Sequence, residues 1–192
     1  AEDMAFVEEV PDAVSLRQLR AWFCRRNPGV EVDKGGPPAE AFLDFFKERV
    51  GDDRVQMDKC KRILAITAAK SRVFSFLLRI CDNHFENVMI NGTGKMFHVD
   101  YGHVLGREME SAPKHPPVKI DYQDLFKILG EDVILDVFVP VLSACFLALR
   151  PSAGLFVEML HCAATKDNRG SQDARERAMQ VVTTRFQPSM LD

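Results

Sequence analysis

The sequence predicts a mainly α-helical domain with one small β-hairpin. Apolar residues recur at helical spacing over most of the chain, and one central stretch shifts to strand-like runs around the turn Asn91-Gly92-Thr93-Gly94. The length, 192 residues, suits one ordinary domain and not two. Hydrophobic residues at 46% and charged residues at 28% describe a folded soluble chain and not a disordered one. The formal net charge is −3, from 25 Lys+Arg against 28 Asp+Glu, so bulk charge gives no sign of a nucleic-acid partner.

The elements follow in order. Leu16, Leu19, Trp22 and Phe23 lie one helical turn apart behind Ser15, a candidate N-cap, and predict a helix from about Ser15 to Arg26. Asn27 to Pro38 carries three prolines and three glycines and reads as a loop. Phe42, Phe45, Phe46 and Val50 define a second amphipathic helix that stops at Gly51. A third, long and free of Gly and Pro, runs from about Arg54 to Ile80. Val88-Met89-Ile90 and Met96-Phe97-His98-Val99 are the strands of the hairpin. Gly102 to Pro117 is loop-like, and helices resume at about Asp121 to Leu129, Val133 to Leu149, Ser152 to Ala164 and Ser171 to Arg185. Val133 to Leu149 is the most apolar stretch. It is short for a membrane span and contains Asp136, Pro140 and Ser143, so it is expected to be a helix buried in a core.

The five cysteines, at 24, 60, 81, 145 and 162, form no C-x-x-C pair. They argue for reduced thiols in a cytosolic setting, against a disulfide scaffold or zinc module, and each is expected to be a small buried hydrophobe. Ala1 to Asp12 is acidic and has no apolar signal-peptide core. A chain opening on Ala and not Met is expected to be a fragment or a processed product.

Chemistry concentrates around the hairpin. Before it stands Cys81-Asp82-Asn83-His84-Phe85-Glu86-Asn87, and after it Phe97-His98-Val99-Asp100-Tyr101-Gly102. A hairpin returns the chain on itself, so Asn87 and Asp100 should lie close together. Their amide and carboxylate oxygens are the donors Mg²⁺ accepts beside substrate phosphates and water. Asp82, earlier in the chain, can orient a hydroxyl nucleophile and take its proton, and His84 can donate a hydrogen bond or titrate. Either half alone would read as polar residues of an ordinary turn. The two together, in fixed order around a hairpin, favour a phosphoryl-transfer site.

The segment Asp82 to Gly102 resembles the catalytic and metal-binding segment of the phosphatidylinositol 3-/4-kinase family, which includes related large protein kinases. That family has D-R-H-x-x-N followed by F-H-I/V-D-F-G, with 13 residues from the Asn to the second Asp, as from Asn87 to Asp100 here. The order Asp-x-His differs from the H-R-D of ordinary protein kinases. Phe6 to Pro11 with Ser15-Leu16 is similar to the hinge between kinase lobes, Ala41 to Phe46 to the helix after it, and Arg185 to Met190 to the segment before the family's last helix.

The resemblance therefore implies that residues 1–192 are the C-terminal lobe of a protein-kinase-like lipid kinase fold, starting at the hinge without an N-terminal lobe. It implies ATP and Mg²⁺ as cofactors. Asp82 would be the base or orienter, and His84 would stabilise the transferring group. Asn87 and Asp100 would hold the metal. Glu8 and Val10 would offer backbone contacts to adenine, and Met89 and Val99 would form its floor, although an apolar core asks for the same two residues. Gly102 to Ile120 matches the loop that recognises the lipid headgroup, with Arg107, Lys114 and Lys119 as its cations. Gly106-Arg107-Glu108 and Pro116-Pro117-Val118-Lys119 are similar to 3-kinases acting on unphosphorylated phosphatidylinositol, and the sparse positive charge of the loop agrees. A 4-kinase stands next. The implied partners are phosphatidylinositol in membranes, by peripheral contact, and a regulatory subunit. The implied setting is cytoplasmic, peripheral on endomembranes.

The sequence also departs from the family wording. Asn83 replaces the Arg between Asp and His, Cys81 replaces a Gly, and Tyr101 replaces a Phe. Arg72 and Arg79 are read as a solvated helix face, or else as a source of replacement charge. No Gly-rich phosphate loop or upstream strand Lys is present in the chain, so it is expected to be inactive alone. A pseudokinase or interaction module, and a Ser/Thr protein kinase of the same superfamily, are the competing readings.

Overall fold

The computed structural model describes residues 9–30, 32, 36–80, 82, 84–101, 104, 120, 122–156, 158 and 172–186. The order of elements is β1 (Ala13–Ser15), α1 (Leu16–Arg26), α2 (Ala39–Val50), α3 (Arg54–Leu77), β2 (Val88–Asn91), β3 (Met96–His98), α4 (Tyr122–Leu129), α5 (Glu131–Phe156) and α6 (Gln172–Phe186). The first helices begin and end where the sequence places them. Ser15 caps α1 through a capping box, its hydroxyl accepting from Gln18 N while Gln18 Oε1 accepts from Ser15 N. Asp53 caps α3 by accepting from Val55 N and Gln56 N.

The sheet has one strand more than expected. β1 pairs antiparallel with β2, and β2 with β3, giving the order β1-β2-β3. Three residues, Ala-Val-Ser, carry no legible alternation, and only pairing with β2 makes them a strand. Val88 and Ile90 on β2 are fully buried, whereas Met89 between them faces the opposite side.

α3 is the axis of the molecule. One core cluster gathers Leu16, Leu19, Phe42, Phe46, Leu64, Ile90, Leu125 and Ile128 around its N-terminal half. A second, with Val73, Leu77, Ala153, Val182 and Phe186, joins its C-terminal half to the end of α5 and to α6. Each such fully buried large side chain contributes about 1.5–3 kcal/mol, so α3 is a rigid post to which the sheet is fixed. The hairpin tip rests on it. Gly94, at φ +88°, sits against the Cys60 backbone carbonyl, and the Cys60 thiol points to Gly92 O at 3.7 Å. Asn91 Oδ1 organises the turn by accepting from Thr93 N, Thr93 Oγ1 and Lys95 N.

Two expectations about burial are corrected. The apolar stretch 133–149 is part of one helical run through Phe156, and it is not buried in a core. Ile134 and Phe138 face inward, but Leu135, Val139, Leu147 and Leu155 are exposed. Among the described residues, the neighbours of α5 are chiefly on α3, and a helix that is apolar all round buries against them only one stripe. By length and composition alone the run could cross a membrane. After a first α-helical turn, Glu131–Val133, it has a π-helical stretch, Ile134–Phe138, at whose end Val139 N donates to Ile134 O. Pro140 cannot donate and would crowd the carbonyl four residues back, and a widened turn ahead of it relieves that. Among the cysteines, Cys60 is buried as expected, whereas Cys24 and Cys145 are only half-buried, Cys145 packing against the second core cluster from its edge. All three are free thiols; Cys81 and Cys162 lie outside the described residues.

Candidate active site

Asn87 is the hub of the site. It is buried, at 7% exposure. Its N–H donates to His84 O at 3.0 Å, its carbonyl accepts from Val99 N at 2.9 Å, and its side-chain Nδ2 donates to Asp82 O at 3.1 Å. One residue thus ties the Asp82–His84 segment to the end of β3, from which Asp100 follows. The register explains why. Val88 faces His98 across β2 and β3, so the residues just outside the ladder meet again as Asn87 and Val99.

Asp82 and His84 form a pair. His84 Nε2 lies 3.5 Å from Asp82 Oδ1, and His84 Nδ1 accepts from Glu86 N at 3.2 Å. An accepting Nδ1 has no proton, so Nε2 carries the hydrogen and presents it to Asp82. The His84 side chain is half exposed and that of Asp82 only 18% exposed, which leaves the imidazole accessible while the carboxylate is sheltered.

Asp100 is exposed and left-handed, with φ +60°. Tyr101 Oη donates to His98 O at 3.2 Å, and burial pushes the Tyr101 phenol above its ordinary value of 10.0. On the side of His98 facing α3, Ser71 Oγ and His98 Nδ1 share a hydrogen bond of 2.8 Å.

The donor set fits Mg²⁺. With Nδ2 committed to Asp82 O, the Asn87 amide leaves Oδ1 as the end that could ligate a cation, and Asp100, two residues past the end of β3, carries a carboxylate. Two hard oxygens suit a cation that keeps several waters and takes substrate oxygens. No group of three His, Cys, Asp or Glu that could cage a metal occurs among the described residues.

The apolar candidates divide. Met89, on the sheet face away from the core, lines an open cleft of about 520 Å³ with Ser15, Arg17, Gln18, Ala21 and Glu86. Arg17 and Glu86 are joined across it by a 2.7 Å ion pair. Val99 is half-buried just after β3, and Val10 is half-buried just ahead of the Pro11-Asp12 turn that leads into β1. Glu8, Arg107, Lys114 and Lys119 lie outside the described residues, as do Cys81 and Asn83. Arg72 is not a solvated face. It is half-buried, with its guanidinium over the rings of Tyr122 at 4.4 Å and Phe138 at 5.6 Å, and it donates to Ile120 O. Arg79 is also half-buried.

The sequence reading missed Ser71, Arg17, Gln18 and Glu86 as neighbours of the site. The S-x-x-Q of the capping box marks Ser15 and Gln18 as a local pair, but nothing local signals that this helix start borders a cleft.

Comparison with known proteins identifies the family. The family model described as phosphatidylinositol 3- and 4-kinase matches residues 1–168. The chain is similar to the human phosphatidylinositol 3-kinase C2 domain-containing subunit gamma, at 30% identity over 105 residues, covering 55% of this chain and 6% of that protein. It is similar to the phosphatidylinositol 4-kinase PIK1 of Saccharomyces cerevisiae, at 25% identity over 185 residues, covering 94% of this chain and 17% of that protein. The Mus musculus gamma subunit is 31% identical over 101 residues, 53% of this chain and 6% of its own length. The chain thus spans only a small part of the relatives it matches.

Proposed function

The chain belongs to the phosphatidylinositol 3- and 4-kinase family, and on that premise we propose that the protein containing it transfers the γ-phosphoryl group of ATP to an inositol hydroxyl of phosphatidylinositol. Its mostly helical fold with a small antiparallel sheet is a lipid kinase fold of the protein-kinase-like class. Residues 1–192 act as the C-terminal lobe of that catalytic domain.

The observation that carries the reading is the Asn87 hub, which holds the Asp82–His84 pair and the end of β3 in one hydrogen-bonded unit. Asp82 takes the proton of the attacking hydroxyl as its oxygen bonds to the γ-phosphorus. The bond from that phosphorus to the bridging oxygen breaks, and ADP leaves. His84, half exposed beside Asp82, turns its one N–H, at Nε2, from Asp82 Oδ1 to the phosphoryl oxygens as the charge develops there. Asn87 Oδ1 and the Asp100 carboxylate would hold Mg²⁺, which when bound supplies neutralisation of the phosphate charge. Met89 and Val99 take the adenine floor, with Glu8 and Val10 as its hinge contacts; the placement of Met89 on the cleft and not in the core supports this part.

The preference for the 3-hydroxyl rests on the wording of residues 106–108 and 116–119, and the 4-hydroxyl is the next choice. Arg107, Lys114 and Lys119 take the headgroup on an endomembrane surface reached from the cytoplasm, with a regulatory subunit as a further partner. A second reading, a pseudokinase or interaction module, is favoured by Asn83 and Cys81, which remove a cation and a glycine from the motif.

The test is phosphorylation of phosphatidylinositol vesicles by the full-length protein with Mg-ATP, beside a Ser/Thr peptide mixture. Lipid product labelled at one ring position, and lost in Asp100→Ala, is expected. Asp82→Asn should lower turnover by about 10²–10⁴-fold while Mg-ATP still binds. Mg-ATP binding without transfer favours the pseudokinase, and labelled peptide alone favours a protein kinase.

A further inference from the structure

Asp100 holds a backbone conformation that costs a non-glycine residue about 1–3 kcal/mol, and such a residue persists only where its surroundings over-determine it. Those surroundings are visible. β3 is an edge strand, and α3 lies along it. Thr67 and Ser71, one turn apart on α3, meet Met96 and His98, two residues apart on β3. Thr67 Oγ1 accepts from Met96 N at 3.0 Å, and Ser71 Oγ bonds His98 Nδ1 at 2.8 Å. The spacings match, because four helical residues rise about 6 Å and two strand residues about 6.6 Å. From the other side the Tyr101 hydroxyl reaches back over Asp100 to the carbonyl of His98. His98 is therefore gripped at its ring by a helix and at its carbonyl by the residue that follows Asp100. Val99, between them, is pinned to Asn87.

We propose that Ser71 and Tyr101 are positioning residues whose hydroxyls clamp His98, so that Asp100 is held left-handed with its carboxylate set to share a hard cation with Asn87. The inference deepens the metal site proposed above and rests on that reading. Neither hydroxyl needs to touch metal or substrate. Each acts through His98, and because both act on one residue, their effects should not add independently.

The test uses the full-length protein and its variants Ser71→Ala, Ser71→Thr, Tyr101→Phe and Ser71→Ala/Tyr101→Phe, with Mn²⁺ as a paramagnetic probe. Two quantities are read: Mn²⁺ affinity in the presence of ATP, and amide hydrogen exchange across residues 96–101 in metal-free protein. Ser71→Ala and Tyr101→Phe should each weaken Mn²⁺ by roughly three- to tenfold, the effect of one lost hydrogen bond, and speed exchange at 96–101 by a similar factor. ATP affinity without metal and the melting temperature should stay near wild type. Ser71→Thr, which keeps the hydroxyl, should restore wild-type Mn²⁺ binding, and the double variant should fall short of the product of the singles. Unchanged exchange would overturn the clamp, and faster exchange with unchanged Mn²⁺ affinity would overturn its reach to Asp100. Wild-type protein that binds no Mn²⁺ would refute the metal reading itself, while the exchange data still decide whether the clamp exists.

Discussion

Replacing Gly94 by Ala tests how the β2–β3 hairpin is fixed to α3. A Cβ at Gly94 would stand 2.2 Å from the Cys60 carbonyl oxygen and 2.9 Å from its carbon, both backbone atoms of α3, held in place by the helix's own hydrogen-bond ladder. Gly94 also has φ +88°, where an L side chain is strained. Strain of about 1 kcal/mol and overpacking of about 1–3 kcal/mol together give roughly 2–4 kcal/mol. Gly92, two residues away, is the control. A Cβ there meets Asp12 Oδ2 at 2.3 Å and Arg49 Cδ at 2.5 Å, which are side-chain atoms able to swing away. Gly92→Ala then loses an ion pair worth about 0.2–1 kcal/mol and gains a similar amount by restricting the unfolded chain. The assay is site-resolved amide hydrogen exchange of β2 and β3 in the full-length protein, which reads local opening free energy directly. Gly94→Ala should lower protection by roughly 30- to 700-fold, and Gly92→Ala by less than about tenfold. Equal losses at the two positions would refute the argument that the α3 backbone, and not the turn itself, makes Gly94 necessary.

Two further predictions follow from side-chain environments. Arg49 stacks its guanidinium 3.5 Å from the Phe45 ring centre and is bidentate to Asp12, so Arg49→Ala should cost about 1–2 kcal/mol in thermal melting. Arg49→Lys should recover less than half of it, since Lys lacks the fork and the stacking plane. Burial raises the Cys60 thiol above its ordinary value of 9.0. Its contribution to stability is therefore fully present below pH 9.0, and is lost as pH rises from there through the higher folded value. Alkaline denaturation curves of Cys60→Ala should lack that part of the decline; identical slopes above pH 9 would contradict it.

Most of the helices were legible because their signals are local. Ser15 and Gly51 bound helices by their own chemistry, and Phe42, Phe45 and Phe46 mark one face by spacing alone. The turn Asn91-Gly92-Thr93-Gly94 was readable because Asn91 Oδ1 closes it from within. β1 was not, since a three-residue strand exists only by its pairing. The burial of 133–149 was misjudged for a related reason. Apolar composition says that a helix can be buried, but the number of neighbours it finds decides how much of it is.

The site divides in the same way. The order and spacing of Asp82, His84, Asn87 and Asp100 are properties of the chain, since a hairpin of fixed length must bring its two flanks together. The hairpin and the chemical groups at its base were therefore legible before any packing was known. Three choices came from long-range packing: which end of the Asn87 amide bonds Asp82 O, the turning of Met89 to a cleft while Val88 and Ile90 face the core, and the meeting of Ser71 with His98 across 27 residues of sequence. Those choices depend on how α3 lies along the edge of β3, a packing of distant segments that no local pattern encodes.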